Sequence, residues 1–299
     1  MITSNNISKS YEKENVLNKV NLQVNKGSIY GLLGSNGAGK TTLLKIMSGI
    51  IKQDNGEMTI SGREVFENPQ VKASTFFLSD SLYFFSQYSV KQMADFFKDI
   101  YPGWDKERFL KLEKLFQLDK KKKISQFSKG MQRQVAFWLA LSTMPEYLIL
   151  DEPFDGLDAV VRKKIKNLLV QDVADREMTI IISSHNLREV EDICDYVGII
   201  HQGRLLLEKD IDDLKADIHK VQIAFREEPE DTVWNGLEVL YKESRGSVML
   251  AIVRGIDGDI IQHLEQYHPV ILDLLPLTLE EIFVYEMGDA GYAIENILV

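Results

Sequence analysis

Apolar and polar residues alternate along Val16–Val24, whereas Ile29–Leu33, Tyr147–Leu150 and Thr179–Ser183 are short, nearly unbroken apolar runs. Alternation predicts a strand buried on one face, and the short runs predict strands buried on both. Ile2–Ile7, Gly56–Ile60 and Phe76–Leu78 read as further strands. From Ser89 the spacing becomes helical, with Val90, Met93, Phe96, Phe97 and Ile100 recurring every three or four residues. Ser89 with Gln92 predicts a capping box at its start, and Pro102-Gly103 breaks it. Leu43–Met47, Arg108–Phe116, Met131–Leu141 and Ala159–Val170 predict other helices. Strand and helix alternate, so the class is α/β with a largely parallel sheet preceded by a β-rich N-terminal part.

Around residue 208 the pattern changes. Glu208–Ile218 reads as a charged helical connector. Strands follow at Val221–Phe225, Leu237–Tyr241 and Ser247–Val253, the last two a hairpin turning near Arg245-Gly246. An amphipathic helix at Asp259–Tyr267, a strand at Val270–Leu275 and a Thr278/Glu281 capping box opening a last helix complete the chain. Residues 1–210 therefore read as one α/β domain and 217–299 as a small α+β accessory domain.

Between the run Ile29–Leu33 and the helix at Leu43 lies Gly34-Ser35-Asn36-Gly37-Ala38-Gly39-Lys40-Thr41-Thr42. This is a phosphate-loop pattern in the strand–loop–helix setting that gives it meaning. Glycines let successive backbone N–H groups curl towards one anion, and the helix start adds partial positive charge. Lys40 is placed to reach the outer phosphates and the Thr41 hydroxyl to ligate Mg²⁺. The strand Tyr147–Leu150 ends in Asp151-Glu152. In phosphate-loop ATPases such a strand lies beside the loop's own strand. Asp151 is then expected near Mg²⁺ through a metal-bound water, and Glu152 at the water that attacks the γ-phosphate. His185 follows the next apolar strand, at the end where ligand crevices form in open α/β sheets. The other four histidines, His201, His219, His263 and His268, have no such setting.

Composition narrows the rest. An apolar fraction of 44% supports an ordinary core, and a net charge of −10 argues against a broad nucleic-acid surface. The single cysteine, Cys194, rules out an internal disulfide pair and reads as a small core residue. The polar start lacks a signal-peptide pattern and no apolar run approaches the ~20 residues of a membrane span, so a soluble protein is expected, with any membrane role exercised through a partner.

The segment Phe127-Ser128-Lys129-Gly130-Met131-Gln132-Arg133-Gln134, at a helix start some twenty residues before Asp151-Glu152, completes an order of motifs that resembles the ATP-binding subunit of ABC transporters. The resemblance covers roughly residues 1–210 and implies a phosphate-loop cassette with an N-terminal antiparallel β subdomain and a helical subdomain at about 86–140. It implies ATP and Mg²⁺ as ligands and ATP hydrolysis as the activity, with Lys40, Glu152 and His185 as catalytic groups. Tyr11 matches the aromatic that stacks on adenine, and Val16 the apolar position beside it. Ser128, Lys129, Gly130 and Met131 match the signature that contacts ATP bound to a second copy, and Asp158 closes the dimer-contact loop Asp155-Gly156-Leu157-Asp158. The implied assembly is a head-to-tail dimer, either of two copies or with a paralogous subunit. It would be held at the cytoplasmic face of the membrane by a separate integral-membrane subunit, with no nucleic-acid partner.

Two departures from the family pattern stand out. Asp80 occupies the place of a glutamine that touches Mg²⁺, and a carboxylate keeps the metal role while losing the hydrogen-bond donor. Lys129 and Met131 replace the usual glycine and glutamine of the signature. Tyr83, Phe84, Phe85 and Tyr88 follow Asp80 and read either as a groove for a membrane-subunit helix or as packing of the helical subdomain. The branch resembled is that of drug and amphipathic-peptide exporters, including the phenol-soluble modulin type. An importer ATPase subunit and a soluble ABC-type ATPase remain the alternatives, although the latter carries a coiled-coil insertion or a second cassette that is missing here.

Overall fold

The structure is a computed structural model and describes residues 1–12, 14–226 and 231–289; the last ten residues of the accessory domain expected at 217–299 lie outside the described residues. The chain divides into two compact units, Met1–Glu208 and Lys209–Val299.

The first unit opens with β1 (Ile2–Tyr11), β2 (Glu14–Val24) and β3 (Ile29–Leu33), followed by α1 (Lys40–Met47), β4 (Asn55–Ile60), β5 (Arg63–Glu64), α2 (Pro69–Ser74) and β6 (Thr75–Leu78). Then come α3 (Val90–Ile100), α4 (Lys106–Phe116), α5 (Lys129–Ser142), β7 (Tyr147–Asp151), α6 (Ala159–Arg176), β8 (Thr179–Ser184), α7 (Leu187–Glu191), β9 (Tyr196–His201) and β10 (Arg204–Asp210). Strands β2-β1-β4-β5 make an antiparallel sheet, and β10-β9-β3-β8-β7-β6 a six-stranded sheet whose β9-β3-β8-β7-β6 neighbours run parallel. Strands β3, β7 and β8 are buried along their whole length, as strands covered on both faces must be.

Strand order corrects one expectation. The loop strand β3 and the carboxylate strand β7 are not neighbours, because β8 inserts between them and pairs with both. Helix α1 bridges the gap by packing on β7. Tyr147 joins the two sheets, its hydroxyl 2.6 Å from Ser61 Oγ.

Helices α3, α4 and α5 form the helical part. The predicted box at Ser89 is present in both directions, with Gln92 N donating to Ser89 Oγ and Ser89 N donating to Gln92 Oε1. Trp138 is fully buried, stacks on Phe109 at 4.7 Å and donates its indole N–H to the Phe109 carbonyl. Asp172 on α6 is buried between Arg108 at 2.5 Å and Arg176 at 3.2 Å, which fastens α4 to α6.

The second unit contains α8 (Ile211–Asp217), β11 (Ile218–Ala224), β12 (Glu238–Arg245), β13 (Val248–Arg254), α9 (Asp257–Glu265), β14 (Ile271–Leu275) and α10 (Leu279–Asp289). Its sheet has the order β12-β13-β11-β14, all antiparallel. Val221, Ile223, Trp234, Ala251, Val253, Ile260 and Leu264 form its core. The Thr278/Glu281 box is made, and Lys220 beside Glu281 holds that carboxyl below its ordinary range. The expected helical connector at Glu208–Ile218 is instead the end of β10 followed by α8, capped by Asp210. Leu205–Leu207 extends a strand into the charged stretch, and charge alone did not mark the switch. The helix belongs to the second unit, which begins before residue 217. No helix of the described residues is long and apolar enough to cross a membrane.

Two outcomes follow. Cys194 is buried, and burial pushes its thiol well above the ordinary range. Thiol titration at mildly alkaline pH should find it unreactive in the native protein and fully reactive in denaturant. Asp172→Ala should lower stability by about 3 kcal/mol in denaturant unfolding, since it strands two arginines that shared one buried carboxylate.

Candidate functional site

The site forms where the loop after β3 meets the C-terminal ends of β7 and β8. The loop tip, Asn36-Gly37, is exposed, while Gly34 and Ala38 to Lys40 are buried. Gly39 caps α1 at φ +109°, and a Cβ there would lie 2.8 Å from Leu17 Cδ2 and 2.9 Å from the Val16 carbonyl. Only glycine lets the chain turn into α1 at this distance from β2. No side chain caps the N-terminus of α1, so the partial positive charge of the helix start adjoins the loop without a capping side chain.

Lys40 is 6% exposed and turns back into the loop, donating to the Gly34 carbonyl at 2.5 Å and the Ser35 carbonyl at 3.3 Å. Its ammonium also lies 3.2 Å from Glu152 Oε1, close enough for an ion pair but outside hydrogen-bonding geometry; Oε1 is buried with no hydrogen-bond partner. The ammonium therefore sits at the mouth of the loop among three oxygens, with its charge only partly used.

Asp151 is 1% exposed. The Thr41 hydroxyl reaches its Oδ2 at 2.8 Å, and Ser183 Oγ donates to its Oδ1 at 2.7 Å. Glu152 adopts the left-handed region at φ +43°, uncommon for a residue with a Cβ, and its N–H donates to Ser183 Oγ at 3.0 Å. His185 Nδ1 lies 3.1 Å from Glu152 Oε2, and oxygens of Glu152 and Asp155 come within 4.8 Å of His185 and of each other. Lys40, Thr41, Asp151, Glu152 and His185 are thus brought together.

These residues suit a phosphate ester with a hard cation. Thr41 and Asp151 offer oxygen ligands, the buried Glu152 Oε1 lacks a donor, and the uncapped α1 terminus offers N–H groups to an anion.

The remaining predicted residues lie apart from that cluster. Tyr11 is 46% exposed, with Lys9 Nζ 5.7 Å from its ring centre. Val16 is half-buried beside Gly39. Ser128 is exposed and caps α5 by accepting from Met131 N; Lys129 is exposed, and Gly130 and Met131 are half-buried. A Cβ on Gly130 would lie 2.8 Å from the Gly156 carbonyl, so the start of α5 touches the Asp155–Asp158 loop within one chain. Asp158 caps α6, accepting from Val160 N and Val161 N.

Asp80 is corrected. Its carboxylate does not join Thr41 and Asp151 but pairs with Arg133 Nη2 at 3.1 Å, while Arg133 Nη1 reaches the Ser79 carbonyl. Arg133 is buried, and an almost fully buried guanidinium needs a counter-charge that Asp80 supplies. The aromatic stretch divides. Phe85 packs edge-on to Phe96 at 5.1 Å and against Tyr88 at 4.9 Å, and Phe84 lines a cavity of about 190 Å³ with Phe76 and Phe97; Tyr83 is 83% exposed. Sequence reasoning passed over Ser183 and Arg133. The signal for Ser183 was two hydroxyls closing an otherwise apolar strand; Arg133 had none, since its partner is 53 residues away.

The ABC transporter family profile matches residues 17–155. The ABC transporter ATP-binding protein YtrB of Bacillus subtilis (strain 168) is 32% identical over 288 residues, covering 96% of this chain and 98% of that protein. The lantibiotic transport ATP-binding protein SrtF of Streptococcus pyogenes is 34% identical over 71% of this chain and 92% of its own length. Among solved structures, one described as an ATP binding subunit of an ABC transporter superposes with a TM-score of 0.67 at 26% identity, over 72% of this chain and 92% of that one. The similarity to YtrB extends across both units, whereas the other two matches span lengths close to the first alone.

Gly39→Ala should cost about 2 kcal/mol of stability, from a strained backbone and contact with Val16, and should weaken nucleotide binding. A denaturant melt and a titration with a fluorescent ATP analogue check both.

Proposed function

The chain belongs to the ATP-binding proteins of ABC transporters, and on that premise we propose that it is the ATPase subunit of a bacterial exporter for an amphipathic or antimicrobial peptide. The cassette fold and the ATPase class come with the family. The direction of transport and the class of cargo rest on the similarity to a lantibiotic transport protein, which favours export over import.

The observation that carries the mechanism is the set Lys40–Glu152–His185 beside Thr41–Asp151. ATP binds with its adenine on Tyr11, flanked by Val16, and with its phosphates in the loop Gly34–Thr42. Lys40 exchanges the Gly34 and Ser35 carbonyls for phosphate oxygens, which carry full charge and hold an ammonium better than neutral carbonyls do. Thr41 and, through water, Asp151 would hold Mg²⁺, which would supply charge neutralisation at the phosphates. Glu152 orients the attacking water through the carboxylate that His185 and Lys40 already bracket, and His185 hydrogen-bonds the γ-phosphate. Catalysis on this reading is positioning and charge stabilisation, with no covalent intermediate on the protein.

The segment Ser128–Met131 at the N-terminal end of α5, which Ser128 caps, serves a second copy. There the Ser128 hydroxyl and helix start meet the γ-phosphate bound by the partner. ATP thereby favours a closed head-to-tail dimer, and hydrolysis removes the bridge; the dimer equilibrium is shifted by the ligand's differential affinity. Asp158 joins this interface while capping α6. Tyr83 contacts the separate integral-membrane subunit, through which the protein stays at the cytoplasmic face of the membrane. Asp80 is paired with Arg133, so this reading assigns the metal to Thr41 and Asp151.

Steady-state phosphate release tests the core of this. Glu152→Gln should lose roughly 100-fold or more in kcat while still binding ATP, and Lys40→Ala should lose binding. Hydrolysis by Glu152→Gln at the native rate would contradict the assignment. Tyr83→Ala should leave ATP hydrolysis intact and reduce co-purification with the membrane subunit.

A further inference from the structure

Ser183 and Ser184 end β8 side by side, both fully buried. Neighbouring residues on a strand face opposite ways, and here each hydroxyl has its own task. Ser184 Oγ accepts from Asn186 N at 2.9 Å and donates towards Glu189 at 3.2 Å, closing the turn that carries His185. Ser183 faces β7. It donates to Asp151 Oδ1 and accepts from the N–H of Glu152, so one oxygen touches both acidic residues.

We propose that Ser183 is a positioning residue for hydrolysis, its hydroxyl clamping the Glu152 backbone and the Asp151 carboxylate in the relative orientation the reaction needs. The proposal rests on the reading of Glu152 as the group that orients the attacking water. Glu152 holds a left-handed backbone, a conformation that is costly for a residue with a side chain. A conformation of that cost persists when its surroundings hold it, and the Ser183 oxygen is the acceptor for the Glu152 N–H. The φ of Glu152 sets where its Cβ points, and hence whether its carboxylate meets Lys40 and His185. On the other side, Asp151 is held by two hydroxyls, Thr41 and Ser183. If the Thr41 hydroxyl turns to a cation, Ser183 becomes the donor that keeps the Asp151 carboxylate in its plane. Few small side chains donate and accept at once, which alanine cannot do at all and cysteine does weakly.

The strand order gives the same residue its opportunity. Strand β8 lies between the loop strand β3 and the carboxylate strand β7, with Ser183 in register with both Leu32 and Asp151. A side chain at this position therefore lies beside the carboxylate-bearing end of β7.

Full-length Ser183→Ala and Ser183→Thr test the proposal beside Glu152→Gln. Ser183→Ala should lower kcat for ATP hydrolysis roughly 10- to 100-fold, as displacement of a catalytic group by about 1 Å does, with KM for ATP within about twofold of native. Amide hydrogen exchange in the peptide covering 150–154 should speed up, because the Glu152 N–H loses its acceptor. Ser183→Thr, which keeps the hydroxyl, should restore both. Should the alanine variant fold poorly, Ser183→Cys should show the same loss of kcat and protection in milder form. A Ser183→Ala protein that hydrolyses ATP at the native rate, while Glu152→Gln is inactive, overturns the role of Ser183 alone. So does a threonine variant as impaired as the alanine one. Native-rate hydrolysis by Glu152→Gln overturns the underlying reading and the proposal with it.

Discussion

The buried carboxylate of Asp151 is the contact on which this structure turns. It draws the hydroxyl of Thr41 from α1 and that of Ser183 from β8, joining three elements that are far apart in the chain. A buried carboxylate is costly to desolvate unless its oxygens are bonded, so the hydrogen bonds do not simply decorate the fold; they are a condition of placing the acid there. Once it is placed, the phosphate loop lies against the end of β7, and Glu152, the next residue, emerges beside Lys40. The same geometry leaves Glu152 Oε1 buried beside the Lys40 ammonium without a hydrogen-bond donor.

The apolar runs were legible because a fully buried strand admits little else, and β3 was bounded correctly at both ends. The loop was legible because its glycines, lysine and threonine each answer a separate requirement of phosphate binding. The capping boxes at Ser89 and Thr278 were legible because they are local, with both partners three residues apart. What escaped reading was tertiary. Nothing in the local pattern tells that β8 separates β3 from β7, and a short helix such as α2 or α7 carries too few turns for a clear period. The charged stretch after Leu207 concealed the end of a strand because edge positions tolerate charge.

The site followed the same division. Lys40, Thr41, Asp151, Glu152 and His185 were readable because chemistry restricts each to few residue types at fixed places along the chain. Asp80 was readable only as a position, and its side chain went elsewhere because Arg133, on a helix beginning 49 residues later, arrives buried and needs an anion. The two departures from the usual pattern in this region therefore differ in kind. Asp80 is absorbed by an internal pair, whereas Lys129 stays on the surface. The aromatic stretch is graded: Phe85 and Tyr88 are partly exposed yet make ring contacts in the helical part, and Tyr83, the most exposed, touches the Phe85 ring edge-on.

Crystals of the Glu152→Gln protein grown with Mg²⁺ and ATP would examine the account at its centre. It predicts Lys40 Nζ released from the Gly34 carbonyl and bonded to the terminal phosphates, the Thr41 hydroxyl at the metal, and Ser128 of a second copy on the γ-phosphate. A nucleotide held by one chain alone, with Lys40 still folded onto Gly34 and Ser128 facing solvent, would contradict it.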